Sequence, residues 1–289
     1  MLDCIIIGGG VAAVSAALTL QANGKTFEIL GGSSFGAKIK KAEMINNYPG
    51  LCKVSGEQFF NALKSQLDEM QIEVKPQKAT GVYAMKGKFL VTAEGDLTIE
   101  GKTVILCTGV ESVKPIAGEE EFLGRGVSYC ATCDGMLYKD KTIAVLCTTK
   151  SLEHEIEYLA KIAKKVYLIP LYKGVEIDGE NIEKIVKMPE RIEGGLKANA
   201  VVFKADKNGE QRTVSVDGVF MLKESVSPAA LCGGLQTEKG HIVVKRDQST
   251  NLKGLFAAGD CTGKPYQYAK AIGEGNIAAH SVVEYLAGK

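Results

Sequence analysis

Cys130 and Cys133, with two residues between them and Asp134 directly after, are the side chains best spaced for chemistry in this chain. Two intervening residues let both sulfurs meet across one turn, so dithiol and disulfide can interconvert without large backbone strain. A thiolate is the attacking species, and the second thiol resolves the mixed disulfide that forms. The pair could also be half of a zinc site, but zinc takes four ligands. No second Cys-x-x-Cys or Cys-x-x-His exists, and His154, His241 and His280 stand alone, so no metal is expected.

A dithiol needs an electron carrier, and the N-terminus offers a place for one. Asp3 to Ile7 reads as a buried parallel strand. Gly8, Gly10 and Ala13 follow in the G-x-G-x-x-G/A frame, and a helical stretch carries Val14, Ala17 and Leu18 before stopping near Asn23-Gly24. Gly8 permits a tight turn, Gly10 lets backbone approach a pyrophosphate, and Ala13 lets the helix pack closely. The helix N-terminus presents free N–H groups to phosphates. The acidic residue expected about twenty positions on is not clear, because Glu28 lies inside the second strand, Thr26 to Leu30.

Two later strands end in polar pairs. Thr103 to Cys107 leads into Thr108-Gly109, and Gly254 to Ala258 leads into Gly259-Asp260, before a helical stretch from about Gln267 to Leu286. An aspartate after a buried strand can accept a hydrogen bond from a ribityl hydroxyl, and its glycine allows close approach. Length and composition set the frame. At 289 residues, 45% apolar and 24% charged, the chain can build two compact domains. A net charge of +1 gives no global pointer to nucleic acid or an anionic membrane. No apolar run reaches the roughly 18 to 20 residues of a membrane span, and the N-terminal run lacks a signal-peptide flank. A cytoplasmic location with mostly free thiols is the default expectation.

Taken in order, Gly8-Gly9-Gly10, Asn46-Asn47-Tyr48-Pro49-Gly50, Thr108-Gly109, Cys130 to Gly135, Gly259-Asp260 and Gln267 give the chain a full-length resemblance to the low-molecular-weight thioredoxin reductases. The resemblance implies an α/β fold of two nucleotide-binding-type, Rossmann-like, three-layer domains, the second inserted into the first. The FAD domain would be 1–113 with 236–289, and the central domain 114–235. FAD contacts would come from Gly8, Gly10, Ala13, Asn47, Thr108, Gly109, Gly259, Asp260 and Gln267. Cys133 would face the flavin, Cys130 would attack the disulfide of thioredoxin, and Asp134 would deliver the proton. A homodimer is implied as well.

The central domain repeats the strand–helix–strand plan at Thr142–Leu146, Leu152–Ala163 and Val166–Ile169. NADPH-dependent relatives carry a glycine-rich loop at the first joint. Here the loop is Cys147-Thr148-Thr149-Lys150-Ser151-Leu152 and holds no glycine. The branched Thr149 obstructs the path of a pyrophosphate, and Leu152 replaces the small residue that lets the helix dock. Pro170-Leu171-Tyr172-Lys173 stands where arginines would grip a 2′-phosphate. The chain therefore resembles most the ferredoxin-dependent flavin thioredoxin reductases, which implies ferredoxin as electron donor and thioredoxin as acceptor. Lys38, Lys40 and Lys41 could receive an acidic ferredoxin. The competing readings are an FAD-dependent dithiol oxidase using dioxygen, an NADPH-dependent reductase with an atypical cofactor site, and a flavin-bearing scaffold without turnover.

Overall fold

The computed structural model describes residues 1–288 apart from 33–34, 41, 111–114, 208 and 224–227, and leaves out the side chains of residues 37, 133, 228 and 229. The chain divides into two compact units, Met1–Val110 with Ser227–Lys289, and Glu111–Val226. The first unit is thus made of two segments, and the second is one internal segment. Its return boundary lies nine residues before the expected 235/236, because the short helix at 228–231 packs against the first unit's own strands.

In chain order the first unit begins with β1 (Leu2–Ile7), α1 (Val11–Ala22), β2 (Phe27–Leu30), α2 (Ala37–Lys40) and α3 (Gly56–Glu69). It continues with β3 (Val74–Lys75), β4 (Ala79–Met85), β5 (Lys88–Ala93) and β6 (Leu97–Leu106). The inserted unit holds β7 (Val127–Ser128), α4 (Ala131–Asp134), β8 (Thr142–Cys147), α5 (Glu153–Ile162), β9 (Lys165–Pro170) and β10 (Ile182–Lys184). Next come β11 (Pro189–Gly194), β12 (Ala198–Phe203), β13 (Thr213–Ser215) and β14 (Gly218–Leu222). The first unit resumes with α6 (Pro228–Leu231), β15 (Thr237–Glu238), β16 (His241–Ile242), β17 (Leu255–Ala257) and α7 (Tyr268–Leu286).

The main sheet of the first unit runs β3-β2-β1-β6-β5-β4, with β17 also on β6. Besides β1, the long β6 serves two partners: Leu97 to Gly101 pair antiparallel with β5, while Val104 to Leu106 pair parallel with β17. That division sets the carboxyl ends of β1, β6 and β17 side by side. Continuous apolar runs make these strands, as buried parallel strands require, and Ile5, Ile6, Val104 and Ile105 are fully buried.

Helix α1 is apolar around most of its surface because it packs against the sheet and against α7. Small residues let the two helices touch: a Cβ on Gly275 would collide with the Ala12 carbonyl. Ser15 Oγ donates to Ile272 O at 2.7 Å, and Asn276 Nδ2 donates to Thr19 Oγ1 at 2.9 Å. Helix α3 opens on a capping box between Ser55 and Gln58, which satisfies two otherwise orphaned N–H groups. Its Phe59 stacks against Tyr48 and Tyr268, at 5.3 and 5.5 Å between centroids. Through Phe59, the 46–50 segment and the start of α7 share one support.

The inserted unit has a parallel sheet, β10-β9-β8-β14-β7, and a separate antiparallel sheet, β11-β12-β13. Ile143, Val145, Ile156, Leu159 and Phe220 fill the space between the parallel sheet and α5. No helix among the described residues is long and apolar enough to cross a membrane.

Candidate redox site and nucleotide frames

The first unit contains a cavity of about 380 Å³ at the carboxyl ends of its central strands. This is where open α/β sheets bind ligands. Of the residues expected to hold a cofactor, Gly10, Asn47, Gly109, Gly259, Asp260 and Gln267 line it. Gly8 and Ala13 lie behind it and shape it. Gly8 has φ +135°, and a Cβ there would collide with the Cys107 carbonyl; Ala13 is buried in the core beneath α1. Thr108 Oγ1 is buried without a hydrogen-bond partner in the structure.

Three features of the cavity fit a dinucleotide such as FAD. A Cβ on Gly10 would meet nothing within 4 Å, so the backbone there faces open space. Helix α1 starts at Val11 with no side chain capping its free N–H groups, which leaves them for phosphate oxygens. The Thr108 hydroxyl is the third, a buried polar atom awaiting a partner. Asn47 Nδ2 donates to Gln267 Oε1 at 2.7 Å, joining two expected contact residues 220 positions apart.

Other contributors were not visible in the sequence. Lys270 Nζ donates to the carbonyls of Gly259 and Gly263 at 3.0 and 2.9 Å and pairs with Glu274 at 3.1 Å. Glu274 Oε2 in turn accepts from Gly259 N–H and Thr262 Oγ1, each at 2.8 Å. The i,i+4 spacing of Lys270 and Glu274 was the available signal. Burial raises the Asp260 carboxyl above its ordinary value, against the opposing pull of Lys270 and Lys38. Lys38 lines the cavity and donates to Val110 O at 2.8 Å, while Lys40 sits over the Phe60 ring at 4.2 Å. Lys38 and Lys40, two of the three lysines expected to receive an acidic ferredoxin, therefore have different partners; Lys41 lies outside the described residues. Glu28 does not reach the cavity and pairs with Lys75 at 2.9 Å.

In the inserted unit, Cys130 follows β7, and α4 makes the single turn that carries Cys133 and Asp134. Cys130 is disulfide-bonded; the side chain of Cys133 lies outside the described residues. Asp134 N–H donates to Cys130 O at 3.3 Å, closing the turn. Ser128 Oγ donates to Asp134 Oδ2 at 2.6 Å and accepts Cys130 N–H at 3.1 Å. A Cβ on Gly135 would press on Tyr158, Leu159 and Ile162 at 3.0–3.3 Å, so this residue seats the turn against α5.

The neighbouring Tyr129 donates to Glu119 Oε1 at 2.7 Å, and Lys223 Nζ donates to the same oxygen at 2.6 Å. Ile116 N–H reaches the other carboxylate oxygen at 3.0 Å. Lys223 and Glu119 are 2% and 0% exposed, so the pair is fully desolvated.

The second nucleotide frame, β8–α5–β9, has the expected elements and a different filling. Thr148 N–H and Oγ1 both bond Leu222 O, at 3.0 and 3.2 Å. Cys147 Sγ donates to Thr149 O at 3.2 Å. A tight turn at Lys150–Leu152 precedes α5, and Leu152 is buried among core side chains. Glu153 and Glu155 occupy the first turn of α5, and Tyr172 OH donates to Glu153 Oε1 at 2.6 Å. Lys150 is paired with Glu176 at 2.9 Å. Carboxylates at a helix N-terminus stabilise the helix and repel a phosphate from the same place.

Comparisons with known proteins agree with this architecture. The family model for pyridine nucleotide-disulphide oxidoreductases matches residues 2–275. A thioredoxin reductase of Helicobacter pylori is 34% identical over 99% of both chains. Among solved structures, a ferredoxin-flavin thioredoxin reductase from Clostridium acetobutylicum matches with TM-score 0.89 and 40% identity, covering 99% of this chain and 98% of that one. A thioredoxin reductase from Gloeobacter violaceus matches with TM-score 0.82 and 25% identity over 99% and 95% of the two chains. A glycine-framed cavity in one unit, a redox-type cysteine turn in the other and full-length matches on both sides lead to one assignment: this chain belongs to the thioredoxin reductases of the pyridine nucleotide-disulphide oxidoreductase family.

Proposed function

We propose that the protein passes electrons from reduced ferredoxin, through FAD and a Cys130–Cys133 disulfide, to thioredoxin, and that it does so without NADPH. The observation that carries this reading is the glycine-free joint before α5, where Thr148 bonds Leu222 O, Leu152 is buried in the core and Tyr172 bonds Glu153 in the first helical turn. The 40% identity to a ferredoxin-flavin thioredoxin reductase supports it.

Gly10 and the first amides of α1 would receive the pyrophosphate, Asp260 a ribityl hydroxyl, and Thr108, Gly109 and the Asn47–Gln267 pair the remaining polar edges. FAD, when bound, supplies the conversion between single electrons and the electron pair that a disulfide requires. The direction is favourable: a donor near about −400 mV and thioredoxin near about −270 mV differ by about 130 mV, roughly 6 kcal/mol for two electrons.

Cys130 is the sulfur that attacks the thioredoxin disulfide, Cys133 resolves the mixed disulfide, and Asp134 supplies a proton to the departing thiolate. Homodimeric assembly and a cytoplasmic location belong to the same reading. The test is anaerobic titration of the flavin-loaded protein with photoreduced ferredoxin, NADPH and NADH. Bleaching of the flavin by ferredoxin alone is expected; rapid stoichiometric bleaching by micromolar NADPH would overturn the proposal.

A further inference from the structure

We propose that Ser128 is the positioning residue for Asp134: its hydroxyl claims Oδ2, so that Oδ1 is the oxygen that carries the proton and hands it to the departing thioredoxin sulfur. The inference deepens the reading above and rests on Asp134 as the acid.

The Ser128 hydroxyl has three polar neighbours. Ser128 is 4% exposed, at the end of β7. A serine hydroxyl has a single hydrogen and two lone pairs. One lone pair takes the Cys130 N–H at 3.1 Å. The hydrogen has two acceptors within reach, Asp134 Oδ2 at 2.6 Å and Cys130 O at 3.2 Å. A short bond to a carboxylate is the stronger of the two, and Cys130 O already accepts from Asp134 N–H at 3.3 Å. The hydrogen therefore points to Oδ2. The Cys130 backbone and the Asp134 carboxylate are thereby held by one buried side chain.

The Cys130 thiolate attacks one thioredoxin sulfur, forming the mixed disulfide and breaking the thioredoxin S–S bond. The other thioredoxin sulfur leaves as a thiolate and takes the proton from Asp134 Oδ1. The Asp134 carboxylate then takes the Cys133 proton as that sulfur attacks Cys130. The Cys130–Cys133 disulfide re-forms, and the second thioredoxin thiolate leaves and is protonated by water. The protein dithiol is oxidised by two electrons, and thioredoxin is reduced by two.

A double-mutant cycle tests this without using ferredoxin. Flavin-loaded wild type, S128A, D134N and S128A/D134N are reduced with dithiothreitol, desalted anaerobically and mixed with excess oxidised thioredoxin. Appearance of thioredoxin dithiol is followed in a single turnover, with flavin content confirming that each variant is folded. We expect D134N to lower the maximal rate about 100-fold or more and S128A about tenfold, from misplacement of the acid. The half-saturating thioredoxin concentration should stay unchanged, and the double variant should be no slower than D134N. An S128A rate equal to wild type would overturn the inference. So would an S128A loss of the same factor in both backgrounds, because Ser128 would then act only on the Cys130 backbone. A D134N rate equal to wild type would instead sink Asp134 as the acid.

Discussion

The two units present the same strand–turn–helix device and fill its turn in opposite ways. At α1 the turn is glycine and a Cβ at Gly10 would stand in open space. At α5 the turn is threonine and lysine, Leu152 is buried in the core, and Glu153 is bonded by Tyr172. Just beyond the end of β14, in the same sheet, Lys223 lies buried against Glu119. In the second frame protein groups fill positions that the first leaves open, on the same strand–turn–helix course.

Four changes would break or sharpen that contrast, taken from the largest expected effect down. Lys223→Ala leaves Glu119 buried without its cation and should lower unfolding stability by about 3–5 kcal/mol, read from urea midpoints. A loss under about 1 kcal/mol would mean water reaches this carboxylate and the sheet end is open. Gly10→Val fills the open side of the α1 turn and should weaken flavin binding at least about 100-fold, or about 2.7 kcal/mol. The purified protein would be colourless but folded by circular dichroism; a yellow variant would place the cofactor elsewhere.

Tyr172→Phe removes one hydrogen bond to a partly exposed carboxylate and should cost about 1.5 kcal/mol. It should give no response to NADPH, since Thr149 and Leu152 remain; flavin bleaching by NADPH in this variant would show the tyrosine to be the sole barrier. The smallest effect concerns Cys147, whose thiol burial pushes up to about 11. With the folded value above the unfolded one, its contribution to stability is intact at neutral pH and is lost progressively as pH rises from 9.0 through about 11. In mildly alkaline buffer a thiol reagent should label the exposed Cys52 and spare Cys147 until denaturant is added.

Local patterns were legible and tertiary pairings were not. The glycine frame at 8–13, the strand ends at Thr108 and Asp260 and the Cys130 turn could be read because each is a short run whose chemistry depends on near neighbours. The missing glycines at 147–152 were equally plain. Ser128 escaped notice because its partner is six residues on and the link needs the α4 turn to form. Glu119 and Lys223 are 104 positions apart, and in sequence each is an ordinary surface charge. Lys38 and Lys40 share one basic run in sequence, yet the first bonds the Val110 carbonyl and the second covers an aromatic ring, partners that only the folded chain brings near.

The Lys270–Glu274 pair holds the Gly259–Gly263 segment with groups of the protein's own. Both backbone carbonyls and the Gly259 amide already have partners from α7. A molecule entering there meets a template whose atoms need little rearrangement, so docking loses little chain entropy and departure leaves the loop standing. Repeated loading and stripping of the prosthetic group should accordingly leave this corner of the protein in one shape.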